Sequence, residues 1–269
     1  MPEQRDTLLN VDHLKKVYES ATGNVEAIGD ISFSMKKGEL VCIVGPSGCG
    51  KTTLLKCIAG LLKPTAGTVD LHGNAVSGPP EDMALVFQEY GRSLYPWLTV
   101  RGNVELPLRH KKLSRSERDK LIDDALEAVG LSHAHKSYPW QLSGGMQQRV
   151  AIARAVAYQP EVLIMDEPFA AVDAQTRADL EDLVRSLHLT RGMSILFVTH
   201  DIDESVYLGE RVVVLSKSPT WVQEDLMIDL DADRDQITTR ALPRFTELRT
   251  HVYEQIQRAK RGEAVRPAA

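Results

Sequence analysis

The sequence predicts an α/β fold, a core of buried strands with an antiparallel β-layer, and a helical insertion. Three observations carry this reading. Short apolar runs, Leu40–Val44, Met83–Phe87, Val162–Met165 and Ile195–Val198, have the length of buried strands and lead into loops or helical patterns. Ahead of the first of them, residues 8–35 alternate apolar and polar in short pieces, Leu8–Val11, Leu14–Tyr18, Val25–Ile28 and Ile31–Met35, as an antiparallel β-layer does. From 91 to 158 strand patterns disappear and helical spacing takes over.

The whole chain sets bounds. Its 269 residues suffice for one large α/β domain, or a core with a subdomain. A net charge of −5 argues against a general nucleic-acid binder. The longest apolar runs are five residues, too short to span a bilayer. Residues 1–6 are polar, so no secretory signal is expected there. Cys42, Cys49 and Cys57 have no metal-like spacing and fit a reducing compartment.

After the β-layer, Leu40–Val44 feeds Gly45-Pro46-Ser47-Gly48-Cys49-Gly50-Lys51-Thr52, and a helical pattern runs from Thr53 to Leu62. This is G-x-x-x-x-G-K-[ST] in the strand–loop–helix context of a P-loop. The glycines let backbone N–H groups face an anion, and the helix N-terminus adds partial positive charge. Lys51 can reach the β- and γ-phosphates, and the Thr52 hydroxyl can ligate Mg²⁺. The fold class is thus an α/β P-loop NTPase. Cys49, inside the loop, is either a reactive thiol or a small tolerated side chain. Tyr18 near a strand end can stack on a base or simply pack.

Gly60 and Lys63–Gly67 end the first helix, Thr68–Leu71 reads as a strand, and His72-Gly73 as its turn. Gln88 follows the strand Met83–Phe87, at the kind of strand end where ligands gather in α/β sheets; alone, it reads as a loop glutamine. Tyr95–Val100 is an exposed-looking aromatic loop. Leu113–Gly130 is an amphipathic helix, with a Ser114/Glu117 capping box, an apolar face of Leu121, Ile122, Ala125, Leu126 and Val129, and Gly130 just past its end. The charges between Arg115 and Asp124 read as its solvated face. Ser143-Gly144-Gly145 opens the next helix, either as a second anion-binding helix start or as a plain N-cap.

Val162–Met165 ends in Asp166-Glu167, two adjacent carboxylates at a strand tip, costly without a cation nearby. Asp166 suits Mg²⁺, and Glu167 is placed to polarise a water. Asp173 precedes the helix Ala174–Thr190. Ser194–Val198 leads to Thr199-His200-Asp201, where a histidine can meet a γ-phosphate. A helix at 202–209 and the strand Arg211–Leu215 close the sheet. A short strand is expected at Leu226–Leu230, a charged stretch from Asp231 to Arg240, and a docked helix along Phe245, Leu248, Val252, Ile256 and Ala259. Residues 261–269 read as a disordered tail.

Together these residues resemble the ATP-binding subunits of ABC transporters, over about residues 8–258. Gly45–Thr52 matches the Walker A motif, Leu142-Ser143-Gly144-Gly145-Met146-Gln147 the signature sequence in its LSGGM form, and Val162–Glu167 Walker B with its catalytic glutamate. Tyr18, Gln88, Asp173 and His200 match the A-loop, Q-loop, D-loop and switch positions, although Ala171-Val172-Asp173 departs slightly from the usual D-loop. The resemblance implies ATP and Mg²⁺ as ligands. It implies nucleotide contacts from Tyr18, Gly45, Pro46, Ser47, Gly48, Cys49, Gly50, Lys51, Thr52, Thr53, Ser143, Gly144, Gly145 and Asp173. Metal contacts would come from Thr52, Gln88 and Asp166, and catalytic roles would fall to Glu167, His200, Lys51 and Gln88.

The same resemblance implies a RecA-like core with its β-layer (8–90 and 159–216), a helical subdomain (91–158) and a C-terminal extension (217–269). It implies a head-to-tail homodimer with ATP between copies, and separate membrane permease subunits docked at Gln88–Trp97. A solute-binding protein would act indirectly, and the location would be peripheral, on the cytoplasmic face of the membrane. Leu94–Val100, the LSGGMQQR run, Arg234-Asp235 and Pro243-Arg244-Phe245 resemble the nitrate, sulfonate and taurine importer group. Ser218-Pro219-Thr220 departs from the turn that this group often carries. The alternative is a soluble ABC-type ATPase acting outside transport, on DNA, ribosomes or Fe–S assembly. The chain lacks the second cassette or long coiled-coil insertion usual there. A P-loop kinase is opposed by Leu142–Gln147.

Overall fold

The computed structural model describes residues 7–19, 23–88 and 90–263, with only the backbone of Tyr90 and Arg92. Along the chain lie β1 (Thr7–Tyr18), β2 (Val25–Lys36), β3 (Leu40–Val44), α1 (Lys51–Ile58), β4 (Ala66–Leu71), β5 (Asn74–Ala75) and β6 (Met83–Val86). Then follow α2 (Tyr90–Ser93), α3 (Val100–Glu105), α4 (Arg115–Ala128), α5 (Gly144–Ala157), β7 (Val162–Asp166) and α6 (Ala174–Arg191). The chain continues with β8 (Ser194–Val198), α7 (Ile202–Leu208), β9 (Arg211–Leu215), β10 (Thr220–Met227) and α8 (Pro243–Arg261). Two compact units result: residues up to 80 together with those from 192 onward, and residues 81–191.

In the first unit the strands run in the order β5-β4-β1-β2-β10-β9-β3-β8. β1 pairs antiparallel with β2 and β4, which is the expected β-layer. Its pieces are continuous, however. The break in alternation at Val11–Leu14 is a bulge rather than a strand end. At its centre His13 takes a left-handed φ of 46°, its amide donates to the Ser32 hydroxyl (2.8 Å), and its Nδ1 lies 3.0 Å from Asp30. β3 is buried at all five positions and pairs in parallel with β8 and β9. β10 joins the two layers, parallel to β2 and antiparallel to β9.

Two expectations change here. β9 does not close the sheet, and the last strand starts at Thr220, not Leu226. β10 was hidden because Val222, Gln223 and Glu224 are all half-buried, so neither face of the strand is purely apolar. α1 begins at Lys51 and stops at Ile58, four residues short of the pattern. Gly60 adopts φ 68°, and a Cβ there would sit 2.2 Å from the Gly78 carbonyl oxygen. α8 buries Phe245, Leu248, Val252, Ile256 and Ala259 as expected. It runs through Arg261 to a Gly262 cap, so the tail begins later than Arg261. The remainder of that tail (264–269), residues 1–6 and Thr22 lie outside the described residues.

In the second unit β6 and β7 pair in parallel, Met83 opposite Val162 through Val86 opposite Met165. The strand β6 ends at Val86, and Phe87 turns out to solvent. α5 packs on β6 and on α2, α3, α4 and α6. α4 carries the Ser114/Glu117 capping box and buries Ile122, Ala125 and Leu126, with Gly130 left-handed beyond it. Its charged face is partly engaged rather than solvated. Arg101 reaches Asp119 (2.6 Å) and Asp123 (2.8 Å), and Arg118 lies 3.4 Å from Glu105. Among the described residues no helix is long and apolar enough to cross a membrane.

Candidate nucleotide-binding site

In the first unit the site is a backbone structure. Gly48 (φ 75°) and Gly50 (φ 102°) are left-handed, which curls 45–52 into a nest. The Cys49 amide closes it on the Pro46 carbonyl (3.2 Å). Burying a lysine is costly unless its ammonium is hydrogen-bonded. Lys51 is buried, and its Nζ donates to the carbonyls of Gly45 (3.1 Å) and Pro46 (3.4 Å), which keeps the ammonium at the loop. Ser47, Gly48 and Thr52 are exposed, with Thr52 in the first turn of α1. Cys49 is buried, so it packs under the loop and is not offered to reagents; a Cβ at Gly45 would lie 3.0 Å from its Sγ. Burial also pushes the Cys57 thiol up to about 11.

Tyr18, at the end of β1, reaches this loop. Its hydroxyl lies 3.2 Å from that of Thr53, and the Lys16 ammonium stands 5.3 Å over its ring. The ring remains partly exposed. On the far side of β3, β8 runs into Thr199. Its amide donates to Ile43 (3.1 Å), its hydroxyl to Glu204 (2.5 Å), and the Asp201 amide returns to its Oγ1 (2.9 Å). His200 is exposed on the resulting turn.

In the second unit, the β6–β7 register sets Gln88 beside Glu167. Each lies two residues past the paired Val86 and Met165, and Gln88 Nε2 donates to Glu167 Oε2 at 3.4 Å. Glu167 takes φ 43°, rare for a non-glycine residue. Asp166 is buried at the tip of β7. Ser143 N-caps α5 by accepting from the Met146 amide (3.3 Å), so its hydroxyl proton stays available to a ligand. Ser143 and Gly144 are exposed.

Asp173 caps α6 through Thr176, accepting from its amide (3.0 Å) and its hydroxyl (2.7 Å). These two bonds hold its carboxyl below the usual range. Thr176 presses on the signature loop as well: a Cβ at Gly145 would meet its Cγ2 at 2.4 Å.

Every site residue expected from the sequence thus falls at a loop, helix start or strand tip of its unit. Three supporting residues were missed. The Thr220 hydroxyl, at the start of β10, donates to the carbonyls of Cys49 and Ala27 and props the P-loop from below. Nothing local marks it, because the contact bridges distant positions. Thr176 was findable, since D-x-x-T before a helical pattern is a capping signal. Glu204 is the third, visible only once Thr199 is folded against it.

A buried strand, a glycine nest, a tethered lysine and a helix start define a P-loop nucleoside-triphosphate-binding protein. Comparison with known proteins narrows this. A family model for ABC transporters matches residues 28–170. The nitrate import ATP-binding protein NrtD of Synechocystis sp. is 45% identical over 227 residues, 84% of this chain and 85% of that protein. The taurine import ATP-binding protein TauB of Roseobacter denitrificans is 38% identical over 254 residues, 93% of this chain and 94% of that protein. A dimeric, post-hydrolysis structure of the ATP-binding cassette MJ0796, bound to ADP and Pi, matches with a TM-score of 0.73. Its identity is 33%, and the match covers 83% of this chain and all of that one. The chain belongs to the ABC transporter family.

Proposed function

We propose that this ABC-type ATPase powers import of a small anionic or zwitterionic solute of the nitrate, sulfonate or taurine kind through separate membrane subunits. The P-loop is the observation that carries the ATPase part of the reading, and the likeness to NrtD and TauB supports the import part: Lys51 is buried and tied to the Gly45 and Pro46 carbonyls beside exposed Ser47, Gly48 and Thr52. That arrangement suits a triphosphate, with Tyr18 stacked on its base.

The working site is composite. Gly45–Thr53, Gln88, Asp166, Glu167 and His200 serve one nucleotide from one copy, and Ser143, Gly144 and Gly145 cap it from a second copy in a head-to-tail homodimer, with Asp173 nearby. The division of labour follows 8–90 with 159–216 as ATP-binding core, 91–158 as helical subdomain and 217–269 as extension. ATP closes the dimer because the signature N–H groups need the γ-phosphate, and hydrolysis reopens it. Glu167 orients or deprotonates the attacking water, with Gln88 holding its carboxylate, while His200 meets the γ-phosphate and Lys51 offsets developing charge. The hydroxyl of Thr52, the amide of Gln88 and the carboxylate of Asp166 are hard oxygen donors that suit Mg²⁺, which when bound shields the phosphate charges.

Tyr95 and Trp97 are exposed and meet edge to face at 5.2 Å, which suits a groove in a permease on the cytoplasmic face of the membrane. A solute-binding protein would deliver cargo to that permease. The test is purification of the tagged chain from membranes. Integral membrane subunits are expected to accompany it and to be lost with Trp97→Ala. Recovery of the chain from membranes with no integral membrane subunit contradicts the import reading. The binding protein that accompanies the complex, and its ligand, identify the solute.

A further inference from the structure

We infer that Arg234 is a positioning residue for the His200 turn, acting through α7; the inference rests on the ATPase site proposed above. One residue, Asp201, separates His200 from α7. The turn is shaped by α7 itself. Glu204, buried, accepts the Thr199 hydroxyl at 2.5 Å, and its amide donates to Asp201 Oδ1 at 3.2 Å. A displacement of α7 therefore carries Thr199 and His200 with it. A helix of seven residues is too short to hold its own position, and its last carbonyls lack intrahelical partners.

Two of those carbonyls, with that of Gly209 just beyond the helix, are met by one guanidinium. Arg234 Nη1 donates to the carbonyl oxygens of Val206 (3.1 Å), Tyr207 (2.7 Å) and Gly209 (2.9 Å), and the Tyr207 hydroxyl donates back to the Arg234 carbonyl (3.2 Å). A cation at a helix C-terminus is favourable as well. The Arg240 guanidinium stacks 4.9 Å from the Tyr207 ring and 5.9 Å from Phe245, the first buried residue of α8. At the other end of α7, Arg249 on α8 lies 3.6 Å from Asp203. The segment after β10 thus grips α7 at both ends. Arg234 and Arg240 of the charged stretch, and Arg249 of α8, are the parts of that grip.

The experiment uses the full chain with Arg234→Ala and Arg234→Lys. It follows ATP turnover, affinity for a non-hydrolysable ATP analogue, and the imidazole signal of His200 in ¹⁵N-histidine NMR, assigned by its absence in His200→Ala. Arg234→Ala is expected to lower kcat about tenfold while analogue affinity stays within about twofold, and to shift or broaden the His200 signal. Arg234→Lys, which still places a cation at those carbonyls, is expected to recover part of both changes. Unchanged kcat with an unmoved His200 signal overturns the inference. So does an equal loss of affinity and turnover with that signal unmoved. Should Arg234→Ala fail to fold, Arg240→Leu removes the stack on Tyr207 and is read by the same criteria. A wild-type chain without ATP turnover would sink the ATPase reading, and the NMR signal alone would then decide the role of Arg234.

Discussion

The two glycine-rich segments, 45–52 and 143–145, both offer backbone N–H groups at a helix start, but they need glycine for different reasons. In the P-loop the requirement is conformational. Gly48 and Gly50 are left-handed, and the loop closes on its own carbonyls and on the Lys51 ammonium. In the signature segment neither glycine is left-handed, since α5 begins in regular geometry after its Ser143 cap. There the requirement at Gly145 is steric, set by Thr176 on α6, which Asp173 holds in place. Gly48 and Gly50 are therefore required by the loop's own conformation, and Gly145 by a neighbour thirty-one residues away.

The largest effect expected on this contrast is at Lys51. Lys51→Ala removes both the phosphate-facing cation and the loop's internal tether, and should lower steady-state phosphate release by about 100-fold or more. Normal turnover would remove the P-loop assignment. Next comes Gly145→Ala. Its Cβ would enter the space of Thr176 Cγ2, an overpacking of about 1–3 kcal/mol. The expected result is weakened ATP-dependent association of two copies, restored by adding Thr176→Ser, which removes Cγ2 and keeps the hydroxyl for Asp173. Failure of that rescue would move the glycine requirement from Thr176 to the nucleotide itself.

Tyr18→Ala should weaken ATP binding, measured calorimetrically, by about 1–3 kcal/mol, the scale of base–aromatic stacking. Tyr18→Phe, which loses only the contact with Thr53, should sit near wild type; if it matches Tyr18→Ala, the hydroxyl and not the ring is what matters. The smallest effect is expected from Thr220→Val. It keeps the shape and deletes the hydroxyl under Cys49 and Ala27, at about 0.5–1.5 kcal/mol of stability by thermal or chemical unfolding. A change within error would show that the P-loop does not depend on its prop.

What the sequence revealed follows the same contrast between local and distant causes. The strand into the P-loop, the capping box of α4 and the buried stripe of α8 were all legible, because each is set by residues within a turn or two. The start of β10 was not. Its half-buried positions gain their meaning from β2 and β9 on either side. Arg234 stood in a charged stretch and in the importer resemblance without any sign of what it touches, and the three carbonyls it meets beside α7 lie twenty-five to twenty-eight residues back. The bulge at His13 hid the continuity of β1 because a two-residue period cannot survive inserted residues. In the site, the motif residues are marked by their spacing, whereas Thr176 and Thr220 act by touching Asp173 and Cys49, and Glu204 by touching Thr199 beside His200.

In the composite site proposed above, the P-loop of one copy and the signature segment of another share one ATP. This sharing is tested most directly by Glu167→Gln, which keeps the strand-tip geometry and the Gln88 contact while removing the carboxylate. Size-exclusion chromatography with light scattering, with and without ATP, reads the outcome. Expected are a monomer without nucleotide, a stable dimer of twice that mass with ATP, and loss of that dimer when Ser143→Arg is added. A Glu167→Gln chain that turns over ATP normally, or that stays monomeric at saturating ATP, would contradict the composite site.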